Sequence, residues 1–110
     1  MKWVTHIVWG AAVLRFFGAG LPTAFALASL HTVFTDVLGH RGLRRAWYHD
    51  ILSIIIGILL GLYVGLPMPA SLALGLTHVV LDWISPGRLA VSWLYNLPFL
   101  ALGLALLQLS

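Results

Sequence analysis

Three carboxylates, Asp36, Asp50 and Asp82, are all the acid this chain has, and five histidines accompany them. Each acid has a histidine at a spacing that permits shared chemistry. Asp36 precedes His40 by four residues, His49 directly precedes Asp50, and His78 precedes Asp82 by four. Residues four apart on a helix share one face, so His78 and Asp82 can both address one ion, as paired ligands do in helical zinc motifs. Asp36 and His40 do the same if the helix runs through Gly39, or across a turn if it stops there. Imidazole mixed with carboxylate suits zinc first, with manganese or iron as alternatives. A metal held this way acidifies its bound water and polarises a carbonyl or phosphoryl oxygen, which is the chemistry of hydrolysis. The plainer alternative for each pair is a hydrogen bond that fastens a helix.

The surroundings of these residues are apolar. Of 110 residues, 61% are hydrophobic and only 8% are charged, against about a quarter charged in soluble domains. The expected class is therefore all-α, a single integral membrane domain over residues 1–110 built as a bundle of about five short transmembrane helices. Apolar runs extend from about Trp3 to Phe17, Leu21 to Val37, Ile51 to Leu66, Ala70 to Ile84 and Leu89 to Leu109. Several fall short of the ~20 residues that usually cross a bilayer, which predicts little tilt, local thinning or polar ends in the interface. Gly18-Ala19-Gly20-Leu21-Pro22, Pro67-Met68-Pro69 and Ser85-Pro86-Gly87-Arg88 punctuate the runs. Lys2 and the first run have the outline of a signal peptide, but Arg15 and His6 interrupt it and the chain beyond stays hydrophobic, so a retained helix is expected. With no cysteine, thiolate sites and disulfides are excluded. A net charge of +3 with no basic helix face gives no case for nucleic acid.

Short cytoplasmic loops carry the Lys and Arg of membrane proteins. A cytoplasmic N-terminus puts Lys2, Arg41, Arg44, Arg45 and Arg88 on that side and leaves Arg15 to snorkel at the other. The same topology brings His6, Asp36, His40, His49, Asp50 and Asp82 to the cytoplasmic helix ends, with His78 a turn deeper. Ionisable residues at that depth are costly unless paired, solvated or metal-bound, so they are functional candidates. His31 points away from Asp36 and is expected to pack. Trp3, Trp9, Trp47, Tyr48, Trp83, Trp93 and Tyr95 suit an interfacial belt. Gly57, Gly61 and Gly65 recur every fourth residue, a face fit for close helix packing within the chain or between copies, and so a candidate homo-oligomer contact.

The segments THIVWG, TDVLGHRG, YHD and GLTHVVLDWISPG, taken in order, resemble the membrane-bound metal-dependent hydrolase family of YdjM-like proteins and their archaeal relatives. The resemblance covers His6 to about Trp93. It implies metal-site roles for His6, Asp36, His40, His49, His78 and Asp82. Those six exceed what one tetrahedral catalytic ion takes, so either two metals bind or some of the six orient ligands and carry protons. Asp50 is the candidate general base, with Asp82 next. Arg41, Arg44, Arg45 and Arg88 anchor the loops to anionic headgroups or hold a substrate phosphate. The expected function is a membrane-embedded metal-dependent hydrolase acting on an amphiphilic or lipid-linked ester or phosphoester, with membrane lipids as its surroundings. The alternatives are a non-catalytic metal-binding, transport or haem-carrying protein and a structural protein that oligomerises. Haem is disfavoured because the histidines gather at one side beside carboxylates.

Overall fold

The computed structural model describes residues 1–41 and 44–110; Gly42, Leu43 and the side chains of Arg41 and Arg44 lie outside the described residues. Five helices, α1 (Trp3–Phe16), α2 (Leu21–Gly39), α3 (His49–Val64), α4 (Met68–Trp83) and α5 (Trp93–Leu109), run up and down the molecule. Pro22 and Pro69 sit in the first turns of α2 and α4, where the missing N–H is not needed. Gly65 ends α3 in the left-handed conformation, φ 79°, which a side chain would resist. Between α2 and α3 the chain forms a minimal ladder, His40–Arg41 (β1) with Arg44–Arg45 (β2), antiparallel and in register His40 to Arg45. The ladder and a turn at residues 46–48 stand between the end of α2 and His49.

One boundary follows the expected helix ends and one does not. α3 starts at His49, two residues before the apolar run, with Asp50 in its first turn, where a negative charge faces the positive helix end. The expected last segment divides into a 3₁₀ turn, Gly87–Val91, and α5. Ser92 makes the break, its hydroxyl accepting from the Tyr95 backbone N–H at 3.3 Å. Asn96, the chain's one asparagine and fully buried, then locks the corner. Its Nδ2 donates to the Ala90 and Ser92 carbonyls at 3.1 and 2.8 Å, while its Oδ1 accepts from the Lys2 N–H and the Thr5 hydroxyl, both at 2.9 Å.

α1 packs on α2, α4 and α5, and α3 on α2 and α4. The α1–α2 seam closes on small residues, Ala11, Ala24 and Ala28, with Leu14, Leu27 and Leu74 around them. At α3–α4 the backbones touch more closely still. A methyl built on Gly57 would stand 2.7 Å from the Ser71 carbonyl oxygen, and one on Gly75 would stand 2.8 Å from the Ser53 carbonyl oxygen and 2.9 Å from Ile54 Cα. On Gly61 it would overlap the Ser71 side chain. Of the two packing roles open to this face, Gly57 and Gly61 fill the one within the chain, against α4, and Gly65 is a helix cap with open space beside it.

Beside the apolar core, the interior holds many polar side chains, and many large apolar side chains face outward. Buried positions include Thr5, His6, His31, Thr32, Thr35, His49, Ser53, Ser71, His78, Asp82, Ser85 and Asn96. Leu59, Leu62, Leu94 and Leu109 are each exposed by 60% or more. Among the described residues one helix, α2 with 19 residues, is long and apolar enough to cross a membrane, and α3 and α5 are apolar but shorter. Because backbone atoms block the space at Gly75, Gly75→Ala is expected to destabilise the protein by about 1–3 kcal/mol. Gly20→Ala, with nothing near its added methyl, is expected to change stability far less; thermal unfolding in detergent compares the two.

Candidate metal centre

At the end of the bundle that carries the hairpin, Asp36 from α2, His49 from α3, and His78 and Asp82 from α4 meet. Their ligand-capable atoms all lie within 4.8 Å of one another. The ends of the elements place them: α2 finishes three residues after Asp36, α3 begins at His49, and α4 carries His78 and Asp82 one above the other in its last turns. His49 Nε2 stands 3.3 Å from Asp36 Oδ1 and 3.4 Å from Asp82 Oδ2. His78 Nε2 stands 3.1 Å from Asp36 Oδ1 and 3.3 Å from Asp82 Oδ2. Each imidazole nitrogen therefore sits between two carboxylates, although one N–H can serve only one of them.

These distances suit a cation at the centre. Zinc bonds of ~2.0–2.2 Å put tetrahedral donor atoms ~3.3–3.6 Å apart. Asp82 Oδ2 is buried with no hydrogen-bond donor aligned on it, despite two imidazoles nearby. Two carboxylates also balance the charge of a divalent ion. The donor set thus could hold a divalent metal ion.

Other candidates surround the four. His6 Nε2 is 3.0 Å from the outer Asp82 oxygen, Oδ1, and its ring stacks on His78 with centroids 3.8 Å apart and planes within 10°. His40 Nε2 reaches Asp36 Oδ1 at 3.5 Å from the partly exposed side. Burial pushes the His40 imidazole below its ordinary pKa, with the Asp36 carboxylate opposing that shift. His31 is buried and points into the helix interface, its Nε2 2.8 Å from the Ser53 carbonyl oxygen and its ring edge-on to His78. Packing was the expectation for it, and the carbonyl contact accounts for its polarity. Asp50, the expected general base, lies on the Nδ1 side of His49, 3.1 Å away, while the cluster lies on the Nε2 side.

A cavity of about 600 Å³ opens onto Asp36, Asp82 and His40. Arg45 lines it, with Nη1 4.0 Å from Asp82 Oδ2. Gly87, Ala90 and Val91 of the 3₁₀ turn also line it, while Arg88 stays exposed on that turn. The roles expected for the Arg41 and Arg44 side chains lie outside the described residues. Two contributors were not singled out from sequence. Lys2 lines the cavity with its ammonium 4.5 Å above the Trp93 ring, and Ser85, whose hydroxyl donates to the Leu81 carbonyl, lines the wall beside Asp82. The cation-π partner of Lys2 depends on the corner at Ser92, which apolar periodicity conceals. Asn96 left a clearer trace, as a lone amide in an apolar run.

No known family model, characterised protein or solved structure matches this chain. The candidate site therefore rests on its own geometry. Asp36→Ala, His49→Ala, His78→Ala and Asp82→Ala are each expected to lower bound transition metal, read by elemental analysis of folded protein purified in detergent. His31→Gln, which keeps a donor for the Ser53 carbonyl, is expected to retain it.

Proposed function

We propose that the protein is an integral membrane, metal-dependent hydrolase whose centre lies at the cytoplasmic boundary and receives the head of an amphiphilic or lipid-linked phosphoester. The observation that carries the proposal is the group Asp36, His49, His78 and Asp82, spaced for a cation and open to a 600 Å³ cavity. The exposed large apolar side chains support the membrane setting, because leucines on the outside with hydroxyls and imidazoles among the buried residues suit lipid better than water. At 14 to 19 residues the helices span roughly 21–29 Å at ~1.5 Å per residue, so a short hydrophobic thickness or local thinning accompanies this setting. Lys2, Arg45 and Arg88 at one end favour a cytoplasmic N-terminus by the distribution of positive charge.

A bound ion would supply Lewis-acid polarisation and an acidified water. The chain's residues would do the rest. Asp36, His49, His78 and Asp82 hold the ion and set its charge. Lys2 and Arg45 on the cavity wall attract a phosphate. Trp3, Ala90 and Val91 give that cavity an apolar side where a lipid tail can leave. His40, between Asp36 and the open cavity, can carry a proton to solvent.

One observation favours a second reading, a non-catalytic metal-binding protein. Four protein donors already complete a tetrahedron, and zinc enzymes usually keep a fourth position for water. Catalysis here needs a fifth position, which manganese and iron adopt readily. Phosphate release from lipid phosphoesters in mixed micelles separates the two. Hydrolysis that is lost on chelation and restored by metal is expected, with Arg45→Ala lowering kcat/KM about 10- to 100-fold, equivalent to about 1.5–3 kcal/mol for a charge-assisted contact. Protein that binds metal and hydrolyses nothing supports the second reading. Membrane insertion is checked separately: the protein is expected to stay in the membrane fraction after alkaline carbonate washing.

A further inference from the structure

The two imidazoles of the cluster are held by different means. His78 is fixed by stacking on His6, and its Nδ1 is buried with no hydrogen-bond partner. His49 is fixed by hydrogen bonding. Its Nδ1 faces Asp50 Oδ1 at 3.1 Å, and the other oxygen of that carboxylate, Oδ2, accepts from Trp83 Nε1 at 2.8 Å. The line Trp83, Asp50, His49 thus runs from the surface, where Trp83 is 65% exposed, to the two carboxylates at the centre.

This line dictates which nitrogen carries the proton. Asp50 can only accept, so Nδ1 donates to it, and the lone pair of a neutral His49 is then left on Nε2. That lone pair faces Asp36 Oδ1 at 3.3 Å and Asp82 Oδ2 at 3.4 Å, where a cation bound between the three groups would receive it. A carboxylate behind a ligating imidazole sets its tautomer and orientation and raises its basicity. The side chain of Asp50 is 41% exposed, so burial does not require an acid there, and a favourable charge at the start of α3 does not require that it face His49. The indole N–H of Trp83 keeps the carboxylate turned toward His49.

We infer that Asp50, oriented by Trp83, is a positioning residue that presents His49 Nε2 to the cation, and that Trp83 acts on the centre only through Asp50. This rests on the metal site proposed above. Co(II) binding to the full-length protein in detergent tests it, read both by affinity and by the visible ligand-field spectrum. Asp50→Ala is expected to weaken Co(II) binding about 10- to 100-fold and to alter the spectrum. Asp50→Asn, whose side-chain carbonyl still accepts from Nδ1, should recover part of the loss. Trp83→Phe should weaken binding less than Asp50→Ala and add nothing in the Asp50→Ala background. Unchanged affinity and spectrum in Asp50→Ala would overturn the inference while leaving the metal site standing, and a fully additive Trp83→Phe effect would overturn the Trp83 link. Wild-type protein that takes up no Co(II) would overturn both the inference and the metal site beneath it.

Discussion

Asp36 and Asp82 are two carboxylates drawn out of water at the end of an apolar bundle, and the arrangement around them answers that one cost. Burying an unpaired charge costs several kcal/mol. Four imidazoles turn toward these two groups: His49 and His78 between them, His6 on the outer oxygen of Asp82, and His40 on Asp36 from the open side. Protons on the imidazoles can meet part of the demand. They leave Asp82 Oδ2 without an aligned donor, a place that a metal ion could fill.

That demand also constrains the backbone. Ligands from α2, α3 and α4 reach one level only if the helices are held close and in fixed register. Gly57, Gly61 and Gly75 let α3 and α4 touch at the backbone, and the Ser53 hydroxyl bonds the Gly75 carbonyl across the seam at 3.0 Å. His31 ties α2 to α3 at the same depth through the Ser53 carbonyl. The seam lies about a turn beneath His49 and His78, so a methyl added there would displace the ligands above it. Packing and site are coupled through Ser53.

The other side of the centre is built with less cover. α5 is attached at its start by Asn96 to the backbone of Lys2 and the hydroxyl of Thr5, and along its length by Trp9, whose indole N–H donates to the Phe99 carbonyl at 2.8 Å. Gly103 leaves room for that ring. The break before α5 keeps the 3₁₀ turn at the mouth of the cavity. A straight helix from Leu89 would have removed a wall of the pocket through which a substrate is proposed to enter.

Much of this was legible in the chain itself. Apolar runs and their Gly and Pro punctuation placed five helices within a few residues, since neither a lipid-facing nor a buried helix tolerates those breaks. Spacing alone paired His78 with Asp82. Counting helix ends brought His6, Asp36, His40, His49 and Asp82 to one side, because up-and-down connections leave little choice. The tertiary structure decided what depends on direction as well as position. It put four of these residues at ligand spacing and left His6 and His40 around them, which turns on where each Nε2 points. It set Asp50 behind His49, although adjacency in sequence permits either side of the ring. It laid the glycine face against α4, since a small-residue stripe does not say which helix it meets. The Ser92–Asn96 corner, built from side-chain bonds to carbonyls within an apolar run, has no periodicity to betray it and exists only in the folded chain.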